Sequence, residues 1–118
     1  MNEKIKQKID ELKKLKPEMF GKDFLLTWEK SMDDIKATLL VAEIIKEMHK
    51  SNITTRIFDS GLGVSIFRDN STRTRFSFAS ACNALGLGVQ DLDEKKSQIA
   101  HGETVRETAN MISFMADV

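Results

Sequence analysis

Five consecutive residues, Ser71, Thr72, Arg73, Thr74 and Arg75, gather three hydroxyls and two guanidinium groups into one short stretch. The hydroxyls are hydrogen-bond donors, and each guanidinium is a planar fork that matches the oxygens of a phosphate or carboxylate. Their setting favours an anion as well. Val64, Ile66 and Phe67, with Ser65 between them, read as a short buried strand that follows a Gly61-Leu62-Gly63 turn and stops at Asp69-Asn70. Downstream, Phe76, Ala79, Cys82 (or Asn83) and Leu85 recur at helical spacing, and Gly86 and Gly88 punctuate the end. The pattern predicts strand, tight loop and helix, with Ser71 as the N-cap. The first N–H groups of such a helix point outward with partial positive charge, at the end of the strand. Arginines there sit at the wrong end of the helix dipole, at a cost of roughly 0.3 to 1 kcal/mol each. A negative group should therefore accompany them, and phosphate is the simplest. The competing interpretation is a plain Ser/Thr cap whose arginines reach into water or pair with an acid such as Asp69.

The elements that must position this stretch are legible on either side of it. Ile5, Ile9, Leu12 and Leu15 recur at spacings of four, three and three. They predict an amphipathic helix over residues 3 to 15, stopped near Pro17. Phe24, Leu25, Leu26 and Trp28 form an apolar knot in sequence. Ser31 with Asp34 three residues on is an acidic capping box, so a second helix should run from Met32 to about Lys50. Its apolar residues cover more than one face, which predicts burial on two sides. His49, in the last turn, reads as structural. Residues 53 to 58 fit a strand or an irregular approach to the glycine turn. The residues Gly88 to Leu92 read as a second strand, 93 to 102 as a loop, and 103 to 116 as a helix with Val105, Ala109, Ile112 and Met115 or Ala116 inward. This order gives an α/β fold, a parallel sheet with flanking helices. The glycines precede their strand, whereas a dinucleotide fingerprint has them after it, so a nicotinamide or flavin site is excluded.

Composition bounds the function further. The 118 residues are one domain's worth, with 41% hydrophobic and 31% charged residues. Lys plus Arg and Asp plus Glu are both 18, so nothing favours nucleic acid or an anionic membrane as partner. No apolar run approaches a membrane span, and MNEKIKQKID lacks a signal-peptide core, so the expected location is cytoplasmic. The single cysteine, Cys82, excludes an internal disulfide framework and reads as a small core residue.

The motif SxRTR after a strand ending in an aromatic residue resembles the carbamoyl-phosphate signature of the aspartate and ornithine carbamoyltransferase family. The similarity begins near Phe24, runs through Ser71 to Gly86, and includes SQIAHGETVRETANMISFMADV, which resembles the ornithine branch. The wording FRDNSTRTRFSFASA and DLDEKKSQIAHGET is closest to the YgeW-like branch, whose acceptor does not follow from the motif. The resemblance implies that residues 1–118 are the N-terminal part of a carbamoyl-phosphate-binding domain. The rest of that domain and an acceptor-binding domain would belong to a longer two-domain subunit, and the chain's apolar last residues, Phe114 to Val118, agree with a fragment. It implies a carbamoyltransferase that moves the carbamoyl group of carbamoyl phosphate to an amine or amide nitrogen of an amino-acid-like acceptor. Neither metal nor organic cofactor is expected, and the assembly would be a homo-oligomer, a trimer by resemblance. Isolated, the fragment should be inactive.

Carried over by the resemblance, Ser71, Thr72, Arg73 and Thr74 bind the phosphate, with Arg73 and Thr74 the catalytic candidates. Arg75 is expected as a structural ion-pair partner. Gln98 would complete the phosphate site from a neighbouring subunit. His101 stands where the aspartate branch has a catalytic lysine and where the ornithine branch has a histidine. A pH-dependent cation and a loop-ordering residue both remain open for it. Arg68, Asp69 and Asn70 replace an acid-containing segment that helps relatives close and recognise the acceptor. Two alternatives stand beside this reading: a non-catalytic phosphate- or metabolite-binding module, and an interaction domain in which Ser71 to Arg75 is only a cap.

Overall fold

Local chemistry accounts for the first two helices. In the computed structural model, which describes residues 2–118, helix α1 spans Glu3–Leu12 and starts at Asn2, whose side chain accepts the Lys4 N–H at 3.0 Å. Helix α2 spans Met32–Lys50 and opens on the expected capping box. Ser31 Oγ accepts the Asp34 N–H at 3.1 Å, and Asp34 Oδ2 accepts the Ser31 N–H at 3.0 Å. The other oxygen of Asp34 accepts the Glu18 N–H at 2.8 Å, tying the connecting segment to the helix start. Ile5 of α1 and Ala37 and Ile44 of α2 are buried, and Lys8 pairs with Glu43 between the two helices.

Two expectations for this region fail. Helix α2 buries one face only, since Leu39 is 60% exposed and Val41 also faces solvent. The apolar knot does not form either. Residues 24–26 form no regular element, with Leu26 extended, Thr27–Glu29 is one 3₁₀ turn, and Trp28 is 80% exposed. Apolar residues adjacent in sequence point in different directions on extended backbone, so adjacency alone does not bring them together.

The chain divides into two compact units, one up to Thr54 and one over Thr55–Val118. In the second, strand β1 spans Leu62–Phe67, helix α3 Arg73–Leu85, strand β2 Gly88–Asp93 and helix α4 Val105–Ser113. Residues 53 to 58 are irregular, and Thr55 is anchored by a 2.7 Å bond from its hydroxyl to the Ala84 carbonyl. The strands β1 and β2 pair in parallel with Leu62 opposite Gly88 and Phe67 opposite Asp93, so both end at the same level. On the other side of β1, Val64 N–H donates to the Val118 carbonyl at 2.8 Å and Asp117 N–H to the Leu62 carbonyl at 2.8 Å. Thus β1 has backbone partners on both edges.

Helix α3 packs on the strands through Cys82, as expected, but not through Phe76. Phe76 is 73% exposed, while Phe78 and the buried Cys82 lie over Gly63. A Cβ on Gly63 would meet Cys82 Sγ at 2.6 Å, so the glycine is what lets helix and strand approach. Helix α4 is shifted: Val105 is 56% exposed, and the buried inward residue is Thr108, whose hydroxyl bonds the Glu103 carboxylate. Among the described residues no helix is long and apolar enough to cross a membrane.

Gly86 ends α3 in the left-handed region at φ 98, and a Cβ there would sit 2.0 Å from the Phe58 carbonyl oxygen. Gly86→Ala should therefore destabilise the protein by about 1 to 3 kcal/mol, read as a lowered denaturation midpoint at constant slope. An unchanged midpoint would contradict this packing. Asp34 gives a pH test. The N–H bonds from Glu18 and then Ser31 hold its carboxyl below the ordinary carboxylate range. Its folded pKa lies below its unfolded one, so its contribution is full above about pH 4 and disappears as pH falls through the folded value. Asp34→Asn should flatten the acid side of the stability profile, and an unaltered profile would remove Asp34 from it.

Candidate functional site

The loop after β1 delivers Ser71 to Thr74 to the carboxyl ends of the two strands. Helix α3 begins at Arg73, so the cap is Thr72 rather than Ser71, a one-residue correction. Thr72 has helical φ/ψ of −101° and −55° and its side chain caps nothing. The first bond of the helix is from Phe76 N–H to the Thr72 carbonyl at 3.1 Å. The N–H groups of Arg73, Thr74 and Arg75 therefore project without an acceptor among the described residues. The hydroxyls of Ser71, Thr72 and Thr74 and the exposed guanidinium of Arg73 likewise engage no partner among the described residues. All of these are donors, and all lie at one helix end.

The other arginine of the first turn is fully committed. Arg75 donates through one guanidinium nitrogen to Asp91 and through another to Asp93, both on β2, and stacks 4.4 Å from the centre of the Phe67 ring. Its partners are these two acids and not Asp69. Asp91 also accepts from Ser65 Oγ at 2.8 Å. That bond first, and then Arg75, holds the Asp91 carboxyl below the ordinary carboxylate range, while Asp93 and Asp91 raise Arg75. The anchor was available in the sequence, because residues i and i+2 of a strand share a face. Asp91 and Asp93 do so beside the crossover helix.

Gln98 and His101 are the first and last residues of a 3₁₀ turn that begins five residues beyond β2. Both are exposed, and among the described residues no hydrogen bond or ion pair joins either to Ser71, Thr72, Arg73 or Thr74. What the structure does bring together is the loop after β1 and the turn after β2. Arg68 Nε pairs with Glu94 Oε2 at 2.7 Å, and Arg68, Asp69, Asn70, Asp93, Lys95 and Lys96 line a crevice of about 170 Å³. Ser97, which sequence reasoning passed over, is buried just before Gln98. Its hydroxyl donates to the Glu94 carbonyl at 2.6 Å and accepts the Ile99 N–H at 3.3 Å.

An uncapped helix end facing the ends of parallel strands is an anion-binding geometry. Comparison with known families gives it a context. The sequence profile described as aspartate/ornithine carbamoyltransferase, carbamoyl-P binding domain matches residues 22–118. The chain belongs to this carbamoyltransferase family. It is 60% identical over 117 residues to the Escherichia coli K12 protein named "Putative carbamoyltransferase YgeW", covering 99% of this chain and 30% of that protein. It is 35% identical over 97 residues to the catabolic ornithine carbamoyltransferase of Treponema denticola, covering 82% of this chain and 29% of the relative. The catalytic subunit of M. jannaschii aspartate transcarbamoylase superposes with a TM-score of 0.68 at 27% identity, over 80% of this chain and 31% of that one. This carbamoyltransferase-family chain thus spans about 30% of the length of the relatives it matches. The α/β fold expected from the sequence is the one the family shares over this part.

The role of Arg75 in orienting α3 is testable without any substrate. Arg75→Lys keeps the charge but replaces a two-acid fork by a single ammonium. Amide exchange at residues 76 to 78, the first hydrogen-bonded N–H groups of α3, should accelerate by about twofold to fivefold, the scale on which one ion pair is lost. Unchanged exchange there would show that the Asp91 and Asp93 contacts do not hold the helix start.

Proposed function

We propose that Ser71, Thr72, Arg73 and Thr74 form the phosphate half-site of a carbamoyltransferase. The enzyme transfers the carbamoyl group of carbamoyl phosphate to an amine or amide nitrogen of an amino-acid-like acceptor and releases phosphate. One observation carries the proposal: in a chain of this family, α3 alone among the four α-helices of the described residues has no side-chain N-cap, and it starts with donors and an Arg73 that have no partner among those residues. An uncapped start forgoes about 1 kcal/mol. A bound phosphate would supply the acceptors that the chain withholds.

In the reaction the acceptor nitrogen attacks the carbonyl carbon, the bond from that carbon to the phosphate oxygen breaks, and the nitrogen loses a proton. Negative charge grows on the carbonyl oxygen and on the departing phosphate, so no protein nucleophile is required. Catalysis then rests on placement and on donors arranged in advance. The N–H groups of Arg73, Thr74 and Arg75 and the hydroxyls of Ser71 and Thr72 would bind phosphate oxygens, and Arg73 would offset the charge of the leaving group. Thr74 would also reach the carbonyl oxygen. Gln98, exposed on its turn, is proposed to reach a neighbouring subunit's site in a homo-oligomer, a trimer by analogy with the family. His101 is proposed as a further contact on the same turn.

The test uses the full-length protein with carbamoyl phosphate and a panel of amines and amides. Transfer to at least one acceptor is expected, and Arg73→Ala should lower kcat/KM for carbamoyl phosphate by ~10²-fold or more, the scale of losing one preorganised charge-stabilising donor. Saturable phosphate binding without transfer to any acceptor would favour the non-catalytic module. Full activity in Arg73→Ala would sink the site assignment.

A further inference from the structure

Beyond the half-site itself, we propose that Arg68 is a positioning residue. Its ion pair with Glu94 clasps the loop after β1 to the turn after β2, and so fixes Ser71 and Gln98 relative to one another. The inference rests on the proposed function for what the clasp serves, and on geometry alone for its existence.

The geometry begins with register. Phe67 and Asp93 are the last paired residues of the two parallel strands, and Arg68 and Glu94 directly follow them, the first in a bend and the second opening a 3₁₀ turn. Opposite charges brought side by side there attract. The pair at 2.7 Å therefore joins the two segments through side chains where the backbone ladder has stopped.

From each end of the pair a short path leads to a candidate substrate contact. On one side Asp69, Asn70 and Ser71 make no hydrogen bond or ion pair of their own among the described residues, so Arg68 is their last polar anchor before Thr72. On the other, the Glu94 carbonyl receives both the N–H and the hydroxyl of the buried Ser97, at 3.1 and 2.6 Å, and Ser97 directly precedes Gln98. Arg75 does not duplicate this function. It ties α3 to β2 through Asp91 and Asp93 and leaves both loops untethered. Arg68 is largely exposed, so the pair adds little to global stability and its effect should appear in loop order and ligand binding.

Two measurements on the full-length protein decide it. In the unliganded protein, amide exchange at the hydrogen-bonded Ser97, Ile99 and Ala100 should rise by about threefold to fivefold in both Arg68→Gln and Glu94→Gln, and backbone NMR order parameters at residues 69–72 should fall in both. The charge-swapped double variant Arg68→Glu/Glu94→Arg should restore exchange to within about twofold, the additivity test of a pairwise contact. In turnover, both single variants should raise KM for carbamoyl phosphate by a similar about threefold to fivefold with kcat nearly constant, and the swap should recover it. Damage from Arg68→Gln with a silent Glu94→Gln would mean that Arg68 touches ligand itself, which overturns the clasp. Silence of both, or failure of the swap, overturns it too. A wild-type protein that does not use carbamoyl phosphate refutes the functional proposal, and the exchange experiment still decides the clasp.

Discussion

The bidentate contact of Arg75 with Asp91 and Asp93 is the constraint on which the arrangement of the second unit depends. Each of the three groups is badly placed alone. The arginine sits at the positive end of α3, and two acids sit one residue apart on the same face of β2. Joined, they convert two unfavourable placements into a fixed distance between the first turn of the helix and the end of the strand. Phe67 lies against the guanidinium and brings β1 into the same junction. The rigid apolar contact of Cys82 with Gly63 fixes the middle of the helix, and the ion pair fixes its start. With both set, the uncapped N–H groups have one direction in which to point.

Caps elsewhere in the chain give that uncapped start its meaning. Ser31 and Thr104 each form a reciprocal box with the acid three residues on, and Asn2 caps α1. The sequence therefore has the means to close a helix start and uses it three times. At α3 the residue three beyond Thr72 is Arg75, a donor where the boxes have an acceptor, and its side chain is turned away to the strands. Fold and site thus use separate groups: Arg75, Gly63 and Cys82 hold the helix, while Ser71, Thr72, Arg73 and Thr74 stay uncommitted.

How much of this was legible in the sequence follows the range of the interactions involved. The capping box at Ser31, the span of α2, the two strands and the strand–loop–helix order depend on neighbours within a few residues, and they hold in the structure. The candidate stretch Ser71 to Arg75 stood out for a similar reason, since hydroxyls and arginines gathered at a helix start are conspicuous against the dipole, and the structure places them at the start of α3. What failed either depended on packing partners distant in sequence or lay outside an apolar periodicity. Phe76 and Phe78 are both compatible with an apolar helical stripe, and only the position of Gly63 decides that Phe78 turns inward. Thr108 is polar and so is invisible to a hydrophobic pattern, yet it is the buried residue of α4 because Glu103 satisfies its hydroxyl. The exposed Phe24, Leu25 and Trp28 show the converse, that apolar character without periodicity does not specify a side to bury.

The loops at the strand ends carry the last step of the synthesis. A parallel sheet closes its backbone ladder at Phe67 and Asp93, and the candidate site residues lie beyond that line, Ser71 on a loop, Thr72 to Thr74 at the start of α3, and Gln98 and His101 on a short 3₁₀ turn. Irregular backbone ordinarily moves more than the elements it joins, whereas charge-stabilising catalysis tolerates little misplacement. The chain reconciles the two demands by continuing the ladder in side chains. Arg75 reaches back to the final residues of β2, Arg68 reaches across to Glu94, and Ser97 folds the next turn onto the Glu94 carbonyl. Order at the site is thereby borrowed from the sheet through four polar contacts. Among the described residues, the candidate anion-binding donors themselves have no internal partner.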